Sequence, residues 1–111
     1  MKNFSFNYKG KKYFLDVIKC DNLYSRMIGL MFKRKSKPLL FVFNKPVNLS
    51  IHSFFCVPFI AIWFDEGKII DKKYVSQWKI NIKPKAKFDK LLEIPVGNNE
   101  FKLFSDEFRK V

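Results

Sequence analysis

Threonine is absent from this 111-residue chain, alanine occurs twice, and there is one histidine, His52. A single imidazole excludes a His–His metal pair and any relay between two imidazoles. Cysteine is almost as scarce. Cys20 and Cys56 stand far apart, with no further Cys or His at ligand spacing, so neither a metal nor another cofactor is expected. A disulfide would require their backbones to come within about 7 Å. No secretory segment points to an oxidising compartment, and two free thiols are the expected state. Uncharged apolar runs stay short of the ~20 residues that span a bilayer. The opening Met-Lys-Asn-Phe-Ser-Phe alternates polar with apolar residues in place of a signal-peptide core. The expectation is a cytoplasmic chain with no transmembrane segment.

Acidic residues are the other shortage. Ten Asp and Glu face 22 Lys and Arg, a net charge of +12. No acid lies between Asp21 and Asp65, a stretch that carries Lys33, Arg34, Lys35 and Lys37. A second acid-free stretch, between Asp71 and Asp89, carries Lys72, Lys73, Lys83, Lys85 and Lys87. Two zones of one sign suit an anionic partner, nucleic acid above all. Arginine, the residue that reads guanine and phosphate with two parallel hydrogen bonds, occurs only three times. Phe, Ile, Lys and Asn make up 51 of the 111 residues, so the lysine excess is partly compositional.

What is present is apolar. Hydrophobic residues are 48% of the chain and aromatics 18%, too many for intrinsic disorder. The length suits one domain, 1–111, with one modest core. Phe4, Phe6 and Tyr8 alternate with polar residues, Gly10 breaks the run, and Tyr13 to Ile18 resumes it, which predicts a β-hairpin. From Asp21 the period lengthens: Leu23, Met27, Leu30 and Met31 predict a short amphipathic helix over 22–32, closed by the basic cluster 33–37 and Pro38. Short strands follow at 39–43, interrupted near Pro46, and at 58–64, where unbroken apolarity predicts burial on both faces. Asp65-Glu66-Gly67-Lys68 is a turn signal before a strand at 69–75, and 88–96 supplies another. The carboxylates around that turn, Asp65, Glu66 and Asp71, are expected to be solvated. The pattern predicts a mainly β fold, a small β-sandwich or barrel with one or two short helices.

Few residues carry chemistry. His52 and Cys56 are four apart, about 13 Å in an extended strand, too far for a nucleophile and its base without a bend. No local carboxylate would orient the imidazole. Glu93 lies in the apolar run Leu91-Leu92-Glu93-Ile94. Facing inward it needs a cation, and Arg26 is the expected partner because guanidinium can bind both carboxylate oxygens. Phe54, Phe55, Phe59, Trp63, Phe64 and Trp78 exceed the needs of a small core, and interleaved with lysines they also suit a ligand-lined barrel or a single-strand platform.

The order of short motifs resembles one family. Arg26-Met27-Ile28-Gly29-Leu30-Met31, Leu40-Phe41-Val42-Phe43, His52-Ser53-Phe54-Phe55-Cys56 with Pro58, Phe64-Asp65-Glu66-Gly67-Lys68-Ile69 and Leu91-Leu92-Glu93-Ile94-Pro95-Val96-Gly97 together resemble the domain-of-unknown-function family 192. The resemblance implies a single β-rich barrel or sandwich with short helical segments, no established activity and no assigned cofactor. The chain departs from that pattern at Cys56, Val57 and Ile60, where the family has Met, a basic residue and an acid, and one residue is missing before Pro58. The retained positions are Arg26, Gly29, Met31, His52, Phe54 and Glu93; of these Arg26, Met31, His52, Phe54 and Glu93, together with Cys56, are the ligand-binding candidates. The expected function is a non-catalytic binding or accessory domain with a cleft near Arg26, His52 and Glu93. The alternative is a basic protein that associates with nucleic acid through its lysine zones.

Overall fold

The computed structural model describes residues 2–20, 38–50, 58–76 and 82–95. They form six strands: β1 (Lys2–Tyr8), β2 (Lys11–Cys20), β3 (Leu39–Val47), β4 (Phe59–Asp65), β5 (Lys68–Val75) and β6 (Phe88–Pro95). All belong to one sheet, in the order β1-β2-β3-β6-β4-β5. The sheet curls until its outer strands, β1 and β5, approach each other, so it is nearly a closed barrel and not the two-sheet sandwich. Among the described residues there is no helix, and none is long and apolar enough to cross a membrane. The helix expected over 22–32 lies outside the described residues. β2 and β3 pair in parallel, Ile18 opposite Leu39. A parallel pair needs a crossover of about a dozen residues or more, and the segment between these strands makes that connection.

Two hairpins frame the sheet. β1 pairs with β2 through the turn Lys9-Gly10, and β4 pairs with β5 through Glu66-Gly67. Both residues of each turn are left-handed, with φ of 52° and 77° in the first and 51° and 80° in the second. This is the geometry whose twist matches that of the flanking strands. Glycine serves the second position without strain, whereas Lys9 and Glu66 hold a conformation that L side chains rarely adopt.

Alternation along the strands builds an inner face. Phe6, Leu15, Val17, Leu40, Ile60, Ile62, Phe64, Leu92 and Ile94 fill the barrel, with Phe4, Tyr8 and Tyr13 packed against them. Phe64 anchors the cluster, its ring 5.3 Å from that of Phe4 and 5.4 Å from that of Phe6, both edge-on. β4 and β6 carry a second apolar set on their other face: Phe59, Ala61, Trp63 and Leu91, joined by Leu39 and Phe41 of β3, Val75 of β5 and Phe88. Burial of both faces, expected for 58–64, therefore holds across Phe59–Phe64 and extends to β6. Of the aromatic excess, Phe59, Trp63 and Phe64 are core; Phe54, Phe55 and Trp78 lie outside the described residues.

Two boundaries differ from expectation. β3 continues through Pro46 to Val47 instead of stopping at Phe43. Its pairing with β6 shifts register between Val42 and Val47, and Pro46 falls in that irregular stretch, where its missing N–H breaks no regular ladder. In β5, Ile70 is the extra residue of a bulge, since Trp63 pairs with Asp71 while Phe64 pairs with Ile69. Ile69 consequently packs inside the barrel and Ile70 on the outer apolar set.

Candidate functional site

Glu93 is the one predicted ligand-binding residue that falls within the described strands. In β6 it sits directly opposite Leu39 of β3 and Ala61 of β4, on the outer face with Trp63 and Leu91. Its 6% exposure makes it the buried charged residue among the described ones. Sequence alternation left both orientations open, and the structure places it inside the protein. Burial pushes the carboxyl up to about 8 from its ordinary value of 4.5, so at neutral pH Glu93 is an acid with a proton to donate. That direction is opposite to the one a guanidinium partner produces. Protonation removes the charge that burial penalises, and this is the state that burial favours for Glu93. Arg26, the expected partner, lies outside the described residues, as do Met31, His52, Phe54 and Cys56.

Beside it stands a second polar group. Trp63 pairs with Leu91, two residues before Glu93 in β6, which makes Trp63 and Glu93 diagonal neighbours on one face. The indole Nε1 of Trp63 is buried and has no hydrogen-bond partner. An apolar face thus carries a carboxyl and an indole N–H at diagonal positions, each able to donate a hydrogen bond when the carboxyl is protonated.

The second lysine zone is divided by strand geometry. Lys72 pairs with Ile62 and faces the barrel interior, whereas Lys73 pairs with Ala61 and faces outward. Lys73 Nζ donates to the carbonyl of Lys83 at 2.9 Å, and the backbone N–H of Lys85 donates to Asp71 Oδ2 at 3.0 Å. These bonds latch the 83–87 loop onto β5. Asp71 also accepts from the backbone N–H of Lys72 at 2.8 Å, so it is a half-buried structural acceptor and not the solvated carboxylate expected from its turn. Asp65 is likewise half-buried, and its Oδ1 is a buried atom with no partner. Lys83, Lys85 and Lys87 are exposed; Lys33, Arg34, Lys35 and Lys37 lie outside the described residues.

Where β1 meets β5 the structure opens a groove of about 420 Å³. Tyr8 and Lys9 approach it from the first hairpin, and Lys68, Asp71, Lys72 and Lys85 from the other side. Sequence reasoning singled out Lys72 and Lys85 but missed Tyr8, Lys9 and Lys68. The signal that could have found them is the pair of hairpin turns Lys9-Gly10 and Gly67-Lys68, each placing a lysine beside a turn glycine.

No family model matches the chain. Among solved structures, a protein of unknown function from Novosphingobium aromaticivorans superposes with a TM-score of 0.78 at 14% identity, covering 94% of this chain and 76% of that one. A putative transcription regulator from Sinorhizobium meliloti gives a TM-score of 0.73 at 19% identity, over 84% of this chain and 78% of that one. At such identities the likeness shows the fold alone. A UPF0127 protein of Pyrococcus furiosus is 29% identical over 93 residues, 80% of this chain and 79% of its own. A UPF0127 protein of Pyrococcus horikoshii is 33% identical over 84 residues, 72% of each chain. With the shared fold and this level of identity over most of both sequences, the chain belongs to the UPF0127 family.

Proposed function

We propose that this chain is a non-catalytic binding or accessory domain whose ligand site lies on the outer face of β3, β6 and β4, with Glu93 at its floor and Arg26 and His52 at its borders. The observation that carries the reading is a protonated carboxyl buried in an apolar face beside an indole N–H that has no partner. Buried polar groups are normally hydrogen-bonded, and leaving a donor unmet costs on the order of 1–3 kcal/mol. A ligand oxygen that accepts from both groups would relieve that cost. Met31, Phe54 and Cys56 complete the set of candidate contacts in this reading. The motif order supports a narrower kinship with domain-of-unknown-function family 192, and with it a single domain over 1–111. A cytoplasmic setting is part of the same reading, supported by the scarcity and wide separation of Cys20 and Cys56.

A crystal structure of the chain tests this reading. The expected result is that Arg26 and His52 border the same cleft as the Glu93 carboxyl, with no ion pair between Arg26 and Glu93. Placement of the three on separate faces would overturn it.

A further inference from the structure

The groove at the β1–β5 seam is independent of that reading. Among the described residues four lysines, Lys9, Lys68, Lys72 and Lys85, line it together with one carboxylate residue, Asp71. Asp71 is committed to backbone: its two oxygens accept from the N–H groups of Lys72 and Lys85. It therefore fixes where two of the four lysines leave the main chain. Tyr8 engages two of the four, Lys9 and Lys72. The Nζ of Lys9 lies 5.3 Å from the centre of its ring and that of Lys72 5.5 Å, so the ring draws together lysines from two hairpins whose charges repel. Lys9 reaches this position from a left-handed backbone, φ 52°, which a lysine adopts only when the surrounding structure imposes it.

We infer that this groove is a binding site for a small phosphate-bearing anion. Several ammonium groups arriving from different strands suit a tetrahedral, multiply charged phosphate. Planar carboxylates are better matched by the guanidinium fork, whereas the cations among the described lining residues are all lysines. The volume fits a compact ligand and not a duplex, whose recognition spreads over a far larger surface. Tyr8 is engaged by two cations, which disfavours it as a stacking platform for a base. A free phosphate compound is accordingly favoured over single-stranded nucleic acid.

The test is a titration of the isotopically labelled full chain with sodium pyrophosphate, at ionic strength held constant with sodium chloride, followed by amide chemical shifts. Saturable shifts are expected at Lys9, Gly10, Gly67, Lys68, Lys72 and Lys85. The double variant Lys9→Gln/Lys72→Gln should weaken binding by about tenfold or more, while Lys87→Gln, on the same loop but outside the groove, should change it by less than about twofold. Lys72→Arg in the single-variant background should retain most of the affinity. If the double variant fails to fold, Lys85→Gln, at an exposed loop position, makes the same comparison with Lys87→Gln. Shifts spread evenly over the surface lysines, or equal losses in the groove and Lys87 variants, would overturn the site. So would tighter binding of an oligothymidylate of about ten nucleotides with shifts running beyond the groove, which would make the surface a nucleic-acid platform.

Discussion

The β1–β2 hairpin and the β4–β6 pair belong to the same sheet yet solve different problems. In the hairpin one face is wet. Phe6, Leu15 and Val17 point into the barrel, while Phe14, 70% exposed, and Lys12 stand on the outside with the Lys12 ammonium 5.4 Å from the Phe14 ring centre. In β4 and β6 both faces are buried, and nearly every residue from Phe59 to Phe64 and from Leu91 to Pro95 is removed from water. The contrast explains why the same period-2 rule gives clean alternation in one region and an unbroken apolar run in the other. It also explains why two outward-facing carboxyls differ. Asp16, on the outer face of β2, is exposed; Glu93, on the outer face of β6, is buried, and burial raises its pKa to about 8.

Substitution should divide along that line. Trp63→Ala removes the largest fully buried side chain of the doubly covered region and should destabilise the fold by roughly 3–5 kcal/mol, measured by urea denaturation. A loss under about 1 kcal/mol would mean that the outer face is not a packed layer. Next in size is Glu93→Leu. The folded carboxyl titrates near 8 against 4.5 for its ordinary value, so between those values the native state holds a proton that the unfolded chain has released. Wild-type stability should therefore fall as pH rises through this window and level off above 8, by up to several kcal/mol. Glu93→Leu should flatten that profile and be the more stable protein at pH 9 by about 1–4 kcal/mol, the advantage shrinking toward pH 5. A parallel pair of profiles would contradict the assignment. The smallest effect belongs to the wet face: Phe14→Ser should stay within about 0.5 kcal/mol of wild type in thermal melts.

Much of this architecture was legible in the sequence, for local reasons. Gly10 and Gly67 mark hairpin turns because they supply positive φ between alternating runs, and the apolarity of 58–64 announces a strand without a wet side. Pro46 misled, since a proline ends a strand only where its N–H is needed by a regular ladder. Glu93 could be singled out but not oriented. With Leu91, Leu92 and Ile94 around it, a doubly buried strand erases the alternation that tells one face from the other. Its protonation depends on Leu39 and Ala61, partners supplied by distant strands. The seam groove was illegible for the same reason. Tyr8 and Lys72 meet only because six strands curl far enough to bring the first and last together.

The most direct measurement is a carbon-detected NMR titration of the Glu93 side-chain carboxyl in the folded chain, assigned by comparison with Glu93→Gln. A midpoint near 8 is the result this account predicts. A midpoint at or below the ordinary carboxylate value would mean that Glu93 is charged and paired with a cation, and the buried neutral donor on which the proposed site rests would not exist.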